Sequence, residues 1–234
     1  MGRPVRFIAP AATARSTVRR STISSHVGES GASGLNLPRG GEDLAMIDDA
    51  EPRFWEVLSS RYLSREPWLT LRQDRVRLPN GEIIEEYNVL EYPDWTNVVA
   101  VTTDERMVLV RQYRHGSRAV HYELPAGVCD PTDIGPEATA RRELLEETGY
   151  GGGEWSPLIA LSANPGTHAN LTHSFLAEGV ALKQAPTPEA TEDLRVHLAT
   201  FGEVRKILAS GGVLQALHAA AILYFLVSKN DPRF

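Results

Sequence analysis

The sequence predicts an α+β fold, sheets covered by a few helices, and three observations carry that reading. Strand-like runs outnumber helical ones, and their order shows no regular βαβ alternation. Two pairs of runs flank tight connections, Pro79-Asn80-Gly81 and Asp104-Glu105-Arg106. One helix carries its own punctuation, with Pro136 in its first turn and Gly149 just past its end.

Residues 1–45 are rich in Ser, Gly and Arg, hold no acid before Glu29 and show no sustained apolar periodicity, so they are expected to form a disordered extension. Two explanations stay open for them. An Arg- and Ser-rich, acid-poor start is the pattern of an organelle-import segment, and an inert extension ahead of Met46 accounts for the composition as well. No apolar stretch follows the early arginines, which argues against a secretory signal.

Pro52 to Leu63, with Phe54, Trp55, Val57, Leu58 and Leu63, is compatible with a short helix. Trp68 to Leu78 and Glu82 to Tyr92 read as the strands of a first hairpin, and Asn97 to Thr103 with Met107 to Tyr113 as a second. Further strands are expected at Val120 to Leu124, Trp155 to Ser162, Leu171 to Glu178 and Leu194 to Thr200. Helices fit Pro136 to Thr148, Phe201 to Ala209 and Val213 to Val227. The expected division is a helix and hairpin subdomain over 46–95 and a larger domain over 96–234.

At 42% apolar and 23% charged over 234 residues, the composition is that of a globular protein with one substantial core. The longest apolar run, Ala219 to Val227, falls far short of the roughly 20 residues of a membrane-spanning helix, so no membrane partner is expected. A lone cysteine, Cys129, can form neither an intramolecular disulfide nor a thiolate metal site, which favours a reducing compartment. A cytoplasmic location is expected, unless residues 1–45 direct import. The net charge of −6 is unevenly spread: beyond residue 45 the chain holds 18 basic and 27 acidic side chains, a poor match for a polyphosphate surface. Nucleic acid is therefore not an expected partner. A small phosphate-bearing substrate would need local arginines or divalent cations.

The chemically informative stretch is Glu123 to Tyr150, ELPAGVCDPTDIGPEATARRELLEETGY. On a helix, Glu143, Glu146 and Glu147 stand at i, i+3 and i+4, so three carboxylates share one face within a turn. Such crowding weakens an isolated helix, and it makes sense if hard cations neutralise it. Leu144 and Leu145 point elsewhere to anchor the helix, and Arg142 can pair with Glu146 at i+4. Acidic triplets are more often solvated faces, and the surrounding residues decide between the two.

Those residues, LPAG followed by RELLEETGY, resemble the Nudix box: Gly, five residues, Glu, seven residues, then Arg-Glu-apolar-x-Glu-Glu-x-Gly-apolar. Gly127 opens it, and Arg142, Glu143, Leu144, Glu146, Glu147, Gly149 and Tyr150 complete it. The resemblance extends over most of Trp68 to Val227, through DWTNVVAV, VLVRQYRHG, ELPAG and NPGTHANLTHSFLA. It departs at one place. Gly127 and Arg142 are separated by 14 residues where the family has one fewer, and the expected glutamate is Asp133. In the family that glutamate mainly braces the box arginine, which implies altered loop geometry with the chemistry kept.

The resemblance implies a Nudix α/β/α sandwich with a mixed sheet, an N-terminal antiparallel β subdomain, and Mg²⁺- or Mn²⁺-dependent hydrolysis of a nucleoside diphosphate joined to another moiety. Metal would be held by Glu143, Glu146, Glu147 and the Ala126 carbonyl, clamping the pyrophosphate and acidifying an attacking water. Glu146, Glu147 and a later Glu192, with Arg142 orienting a carboxylate, are the implied catalytic set.

Three features point within the family toward ADP-ribose or related nucleotide sugars, as substrate of a homodimer. Pro165 follows Tyr150 by fifteen residues, as in members resembling ADP-ribose pyrophosphatases, although Asn164-Pro165-Gly166 is also plain turn chemistry. The strands of Trp68 to Tyr92 resemble the sheet through which such members dimerise, or are a simple added subdomain. Thr191 to Val196 resembles the late acidic loop that supplies another glutamate, Glu192 with Glu189 in reserve, or is an acidic turn.

Arg111 and Arg114, three apart, alternate poorly for one strand face. One is expected to reach phosphate, and Arg114 is favoured. His121 and His173 read as structural histidines, and Trp95 either stacks on a base or is buried at a strand entrance. The alternatives are another nucleoside diphosphate derivative (a GDP-sugar, a dinucleoside polyphosphate, coenzyme A, an oxidised nucleotide) and a Nudix domain that binds a nucleotide without hydrolysing it.

Overall fold

A computed structural model describes residues 52–66 and 68–229; the expected extension over 1–45 lies outside them. The described chain begins with an antiparallel sheet of β1 (Glu56–Glu66), β2 (Leu69–Arg77) and β3 (Ile83–Glu91), with β2 central. The β2–β3 turn is the expected one: Gly81 has φ +93°, its N–H donates to the Leu78 carbonyl, and Asn80 Oδ1 accepts the Glu82 N–H at 3.0 Å.

Over Pro52 to Leu63 the expected helix is corrected, since from Glu56 the chain is β1. Only Leu58 and Ser64 of this edge strand are even half-buried, so no buried face stamps a period of two on the residues. Two register irregularities break the alternation further. Pairing with β2, from Glu56 opposite Arg77 to Glu66 opposite Leu69, decides the conformation.

The second sheet is mixed. Its order is β11 (Leu194–Thr200), β5 (Arg106–Arg114), β4 (Trp95–Thr102), β10 (Thr172–Leu182) and β8 (Tyr150–Gly151). β6 (Ala119–Glu123) pairs with β5, β7 (Ala126–Val128) with β4, and β9 (Glu154–Leu161) with β10. β4 and β10 run parallel and the other pairs antiparallel.

Helices cover both faces. Val98, Ala100 and Val108 meet Ala140 and Leu144 of α1 (Pro136–Thr148). The alternate residues Val99, Val101 and Leu109 meet α2 (Phe201–Ala209) and α3 (Ala216–Ser228) through Val204, Ile222 and Phe225. β4, buried on both sides from Thr96 onward, is the centre of an α/β/α sandwich.

Local chemistry sets the helix ends. Gly149 takes φ +76° and its N–H reaches the Leu145 carbonyl, ending α1. Thr200 and Glu203 form a capping box at α2. α3 starts three residues later than Val213, because Gln215 caps it by accepting the Leu217 N–H. Among the described residues, no helix is long and apolar enough to cross a membrane.

Candidate active site

β7, only three residues long, lays Ala126 and Gly127 beside Asn97 and Thr96 of β4 and under the acidic face of α1. Glu147 is buried there, and its Oε2 accepts the Ala126 N–H at 3.0 Å. Glu143 lies so close to Gly127 that a Cβ at that position would overlap its carboxyl group. The opening glycine of the box is thus required by the approach of a carboxylate to backbone.

Arg142 joins the remaining acids. Its Nη1 meets Glu143 at 2.9 Å and Glu146 at 3.0 Å, and its Nη2 donates to Asp133 at 3.2 Å. Asp133 also accepts the Thr139 hydroxyl at 2.8 Å. The shortened acid braces the arginine, and earlier in the loop Asp130 accepts from the backbone N–H and hydroxyl of Thr132.

The electrostatics describe a site short of positive charge. Burial pushes Glu143 up to about 7, Arg142 offsets only part of this, and Glu146 and Glu192 add repulsion. Burial raises Glu147 well above the usual range against the pull of the Ala126 N–H, and Glu143 and Glu192 raise it further. Among the described residues no three His, Cys, Asp or Glu side chains close around an ion, since Glu143 and Glu146 grip Arg142. The donor set nonetheless fits a hard divalent cation: crowded carboxylate oxygens that repel one another, with Glu147 buried and Glu143 nearly so. Glu192, half-buried before β11 and accepting the Glu189 N–H at 2.9 Å, is near enough for its charge to act on Glu143, Glu147 and Arg114.

A cleft of about 560 Å³ opens beside Ala126. Part of its wall is aromatic: Trp68 and Trp95 lie 6.4 Å apart at 49°, and Tyr92 meets His168 edge-on at 5.8 Å. Elsewhere in the wall, Arg114 is fixed by Glu123 through bonds of 2.9 and 2.7 Å, with Gln112 adding a third to the same carboxylate at 3.2 Å. Burial works against the charge of Glu123, and the Arg114 bonds and charge outweigh it, holding the pKa below the ordinary value.

Arg111 lies on the opposite face of β5, its guanidinium 5.5 Å from the centre of the Tyr122 ring, and does not line the cleft. Pro165 is exposed in a turn, while its neighbours Ala163 and His168 form cleft wall. Trp95 is both half-buried at a strand entrance and part of the cleft. His121 is buried and faces the cleft, whereas His173 pairs with Asp94 at 2.8 Å. Cys129 is half-buried, and burial pushes its thiol up, so it is not an activated nucleophile.

Sequence reasoning missed Glu123, Trp68, Tyr92, His168 and His218 in this cleft. They come from five separate segments, and only the ELPAG context of Glu123 offered a local signal.

Residues 93–211 match the NUDIX domain, and residues 55–90 match the nucleoside diphosphate sugar hydrolase N-terminal domain. An ADP-ribose pyrophosphatase of Mycobacterium tuberculosis is 31% identical over 172 residues, spanning 72% of this chain and 82% of that protein. A GDP-mannose pyrophosphatase of Salmonella arizonae is 36% identical over 183 residues, spanning 74% of this chain and 89% of the relative. A crystal structure of an ADP compounds hydrolase shares the fold, with a TM-score of 0.68 at 19% identity over 79% of this chain and 100% of that one. The chain belongs to the Nudix family. Within that family it is a pyrophosphohydrolase, of a class that generally uses divalent metal ions.

Proposed function

We propose that the protein hydrolyses the pyrophosphate bond of ADP-ribose, or of a related nucleoside diphosphate sugar, to a nucleoside monophosphate and a sugar phosphate with the help of Mg²⁺ or Mn²⁺. The observation that carries this reading is a cleft whose wall brings the aromatic rings of Trp68, Tyr92 and Trp95 together with Ala126 and Arg114. Trp68 and Trp95 offer apolar faces to a base. Arg114, preset by Glu123, offers its exposed guanidinium edge to a phosphate oxygen. Glu143, Glu146, Glu147 and the Ala126 carbonyl would hold the cation, which when bound polarises the phosphoryl group and acidifies water. Arg142 orients Glu143 and Glu146, and Glu192 or Glu147 would accept the proton of the attacking water.

The likeness to a GDP-mannose pyrophosphatase supports a second substrate, so the base itself is an open variable of the same reaction. Phe54, Trp55, Val57, Leu63 and Leu69 leave much apolar surface exposed at the N-terminal sheet, which supports a homodimer formed there. The test is incubation of the purified protein with ADP-ribose or GDP-mannose and Mg²⁺. AMP or GMP should accumulate with the metal and not with EDTA. No monophosphate from any nucleotide sugar would overturn the reading, and sedimentation at micromolar concentration reads the dimer separately.

A further inference from the structure

The segment 212–218 lies beyond the residues that match the NUDIX domain, yet Leu214, Gln215, Leu217 and His218 line the cleft. His218 is the polar group among them that packing has fixed. It is only 5% exposed, and its Nδ1 accepts the Leu124 N–H at 3.2 Å. A backbone amide can only donate, so Nδ1 carries a lone pair and the proton of the neutral ring sits on Nε2. Burial pushes the imidazole down to about 4 against the pull of Glu123, which keeps it uncharged near neutrality. Its Nε2–H makes no hydrogen bond among the described residues, while the ring forms part of the cleft wall.

Position along the chain separates this group from the aromatic wall. Leu124, which His218 holds, stands two residues before Ala126, and Val128, the strand partner of Trp95, stands two after. Ala126 stands between the two along the chain, at the start of β7 and just past the bend at Pro125. A base against the tryptophans and a diphosphate over Ala126 leave the group beyond the second phosphate at the His218 end.

The chemistry of that end is neutral. The Arg114 charge is matched by Glu123, and Gln215 spends its carbonyl on the Leu217 N–H, which leaves an amide N–H₂ to donate. Uncharged donors, one on the buried His218 and one on the exposed Gln215, suit hydroxyl oxygens better than a further phosphate.

Building on the nucleotide-sugar reading above, we propose that His218 is a specificity-determining residue whose Nε2–H donates to a hydroxyl oxygen of the sugar beyond the diphosphate. It selects a polyhydroxylated leaving group over a non-sugar one.

Two substitutions in the full chain separate this role from a structural one. His218→Asn keeps an acceptor near Nδ1 for the Leu124 N–H and loses the Nε2 donor; His218→Gln restores a donor near Nε2. With Mg²⁺, His218→Asn should raise KM for ADP-ribose at least tenfold and leave competitive inhibition by ADP, which lacks the sugar, within twofold. His218→Gln should recover most of the loss. Unaltered protein should show a similar rise in KM on ADP-sugars that lack single hydroxyls, a readout independent of how either variant folds. An unchanged KM in His218→Asn, an equal shift in ADP inhibition, or indifference to every missing hydroxyl would overturn the assignment of His218 alone. Absence of turnover on all nucleotide sugars by the unaltered protein would overturn the functional reading beneath it.

Discussion

α1 and α3 cover opposite faces of one sheet and have the same length, yet they are built on opposite principles. α1 carries Glu137, Arg141, Arg142, Glu143, Glu146 and Glu147, and the side chains it buries include only two apolar ones, Ala140 and Leu144. α3 has no charged residue from Ala216 to Ser228 and buries Leu217, Ala221, Ile222, Phe225 and Leu226. Full burial of a large apolar side chain is worth about 1.5–3 kcal/mol, so α3 contributes far more to the fold than α1 can. A helix that buries a carboxylate such as Glu147 is held in place by the rest of the molecule. Stability and turnover should therefore respond to different helices.

The sharpest separation is expected in α1. Glu147→Gln keeps the volume and an oxygen for the Ala126 N–H but removes the charge, so kcat should fall on the order of 10³-fold, about 4 kcal/mol of transition-state stabilisation, with the melting temperature held or raised. Activity within tenfold of the unaltered protein would remove Glu147 from the metal-binding set. On the other side, Ile222→Ala should cost about 3 kcal/mol in denaturant unfolding while the folded fraction keeps its specific activity. A lowered kcat at full folding would mean the two faces are coupled.

The third expectation concerns pH in metal-free protein. Glu143 has a folded pKa of about 7, above its ordinary value, so the folded state keeps a proton that the unfolded chain gives up. The resulting stability is complete below about pH 4.5 and is lost as the pH rises through about 7, and Glu147 acts in the same direction. For Glu143 the loss amounts to about 3 kcal/mol. Melting temperature in EDTA should therefore fall between pH 5 and pH 8, and Mg²⁺ should flatten the curve. A flat curve in EDTA would mean that these carboxylates are already neutralised within the protein.

Most of the sandwich was legible in the residues because each element had one buried face or a marked end. β4 and β5 read as apolar runs, and Pro136 and Gly149 bracketed α1. β1 was illegible for the converse reason: an exposed edge strand has no pattern of its own. β7 and β8, three and two residues long, are too short for any period to show, yet β7 aims Ala126 and Gly127 at the acidic helix. The box could be read because its spacing is local. The cleft could not, because Trp68, Tyr92, His168 and His218 meet only after four segments pack.

One join in the chain has a wider consequence. The two family matches divide between residues 90 and 93, but Leu90 donates its N–H to the Thr167 carbonyl at 2.7 Å and accepts the Ala169 N–H at 3.1 Å. Tyr87 donates its hydroxyl to the Gly166 carbonyl, and Asn170 reaches the Pro93 carbonyl at 2.9 Å. The loop that supplies His168 to the cleft is thus sewn to the small sheet. Recombination that exchanged this sheet between relatives would re-cut the aromatic wall and leave the glutamate helix untouched; on the proposed function, substrate choice would then drift while the hydrolytic apparatus is inherited whole.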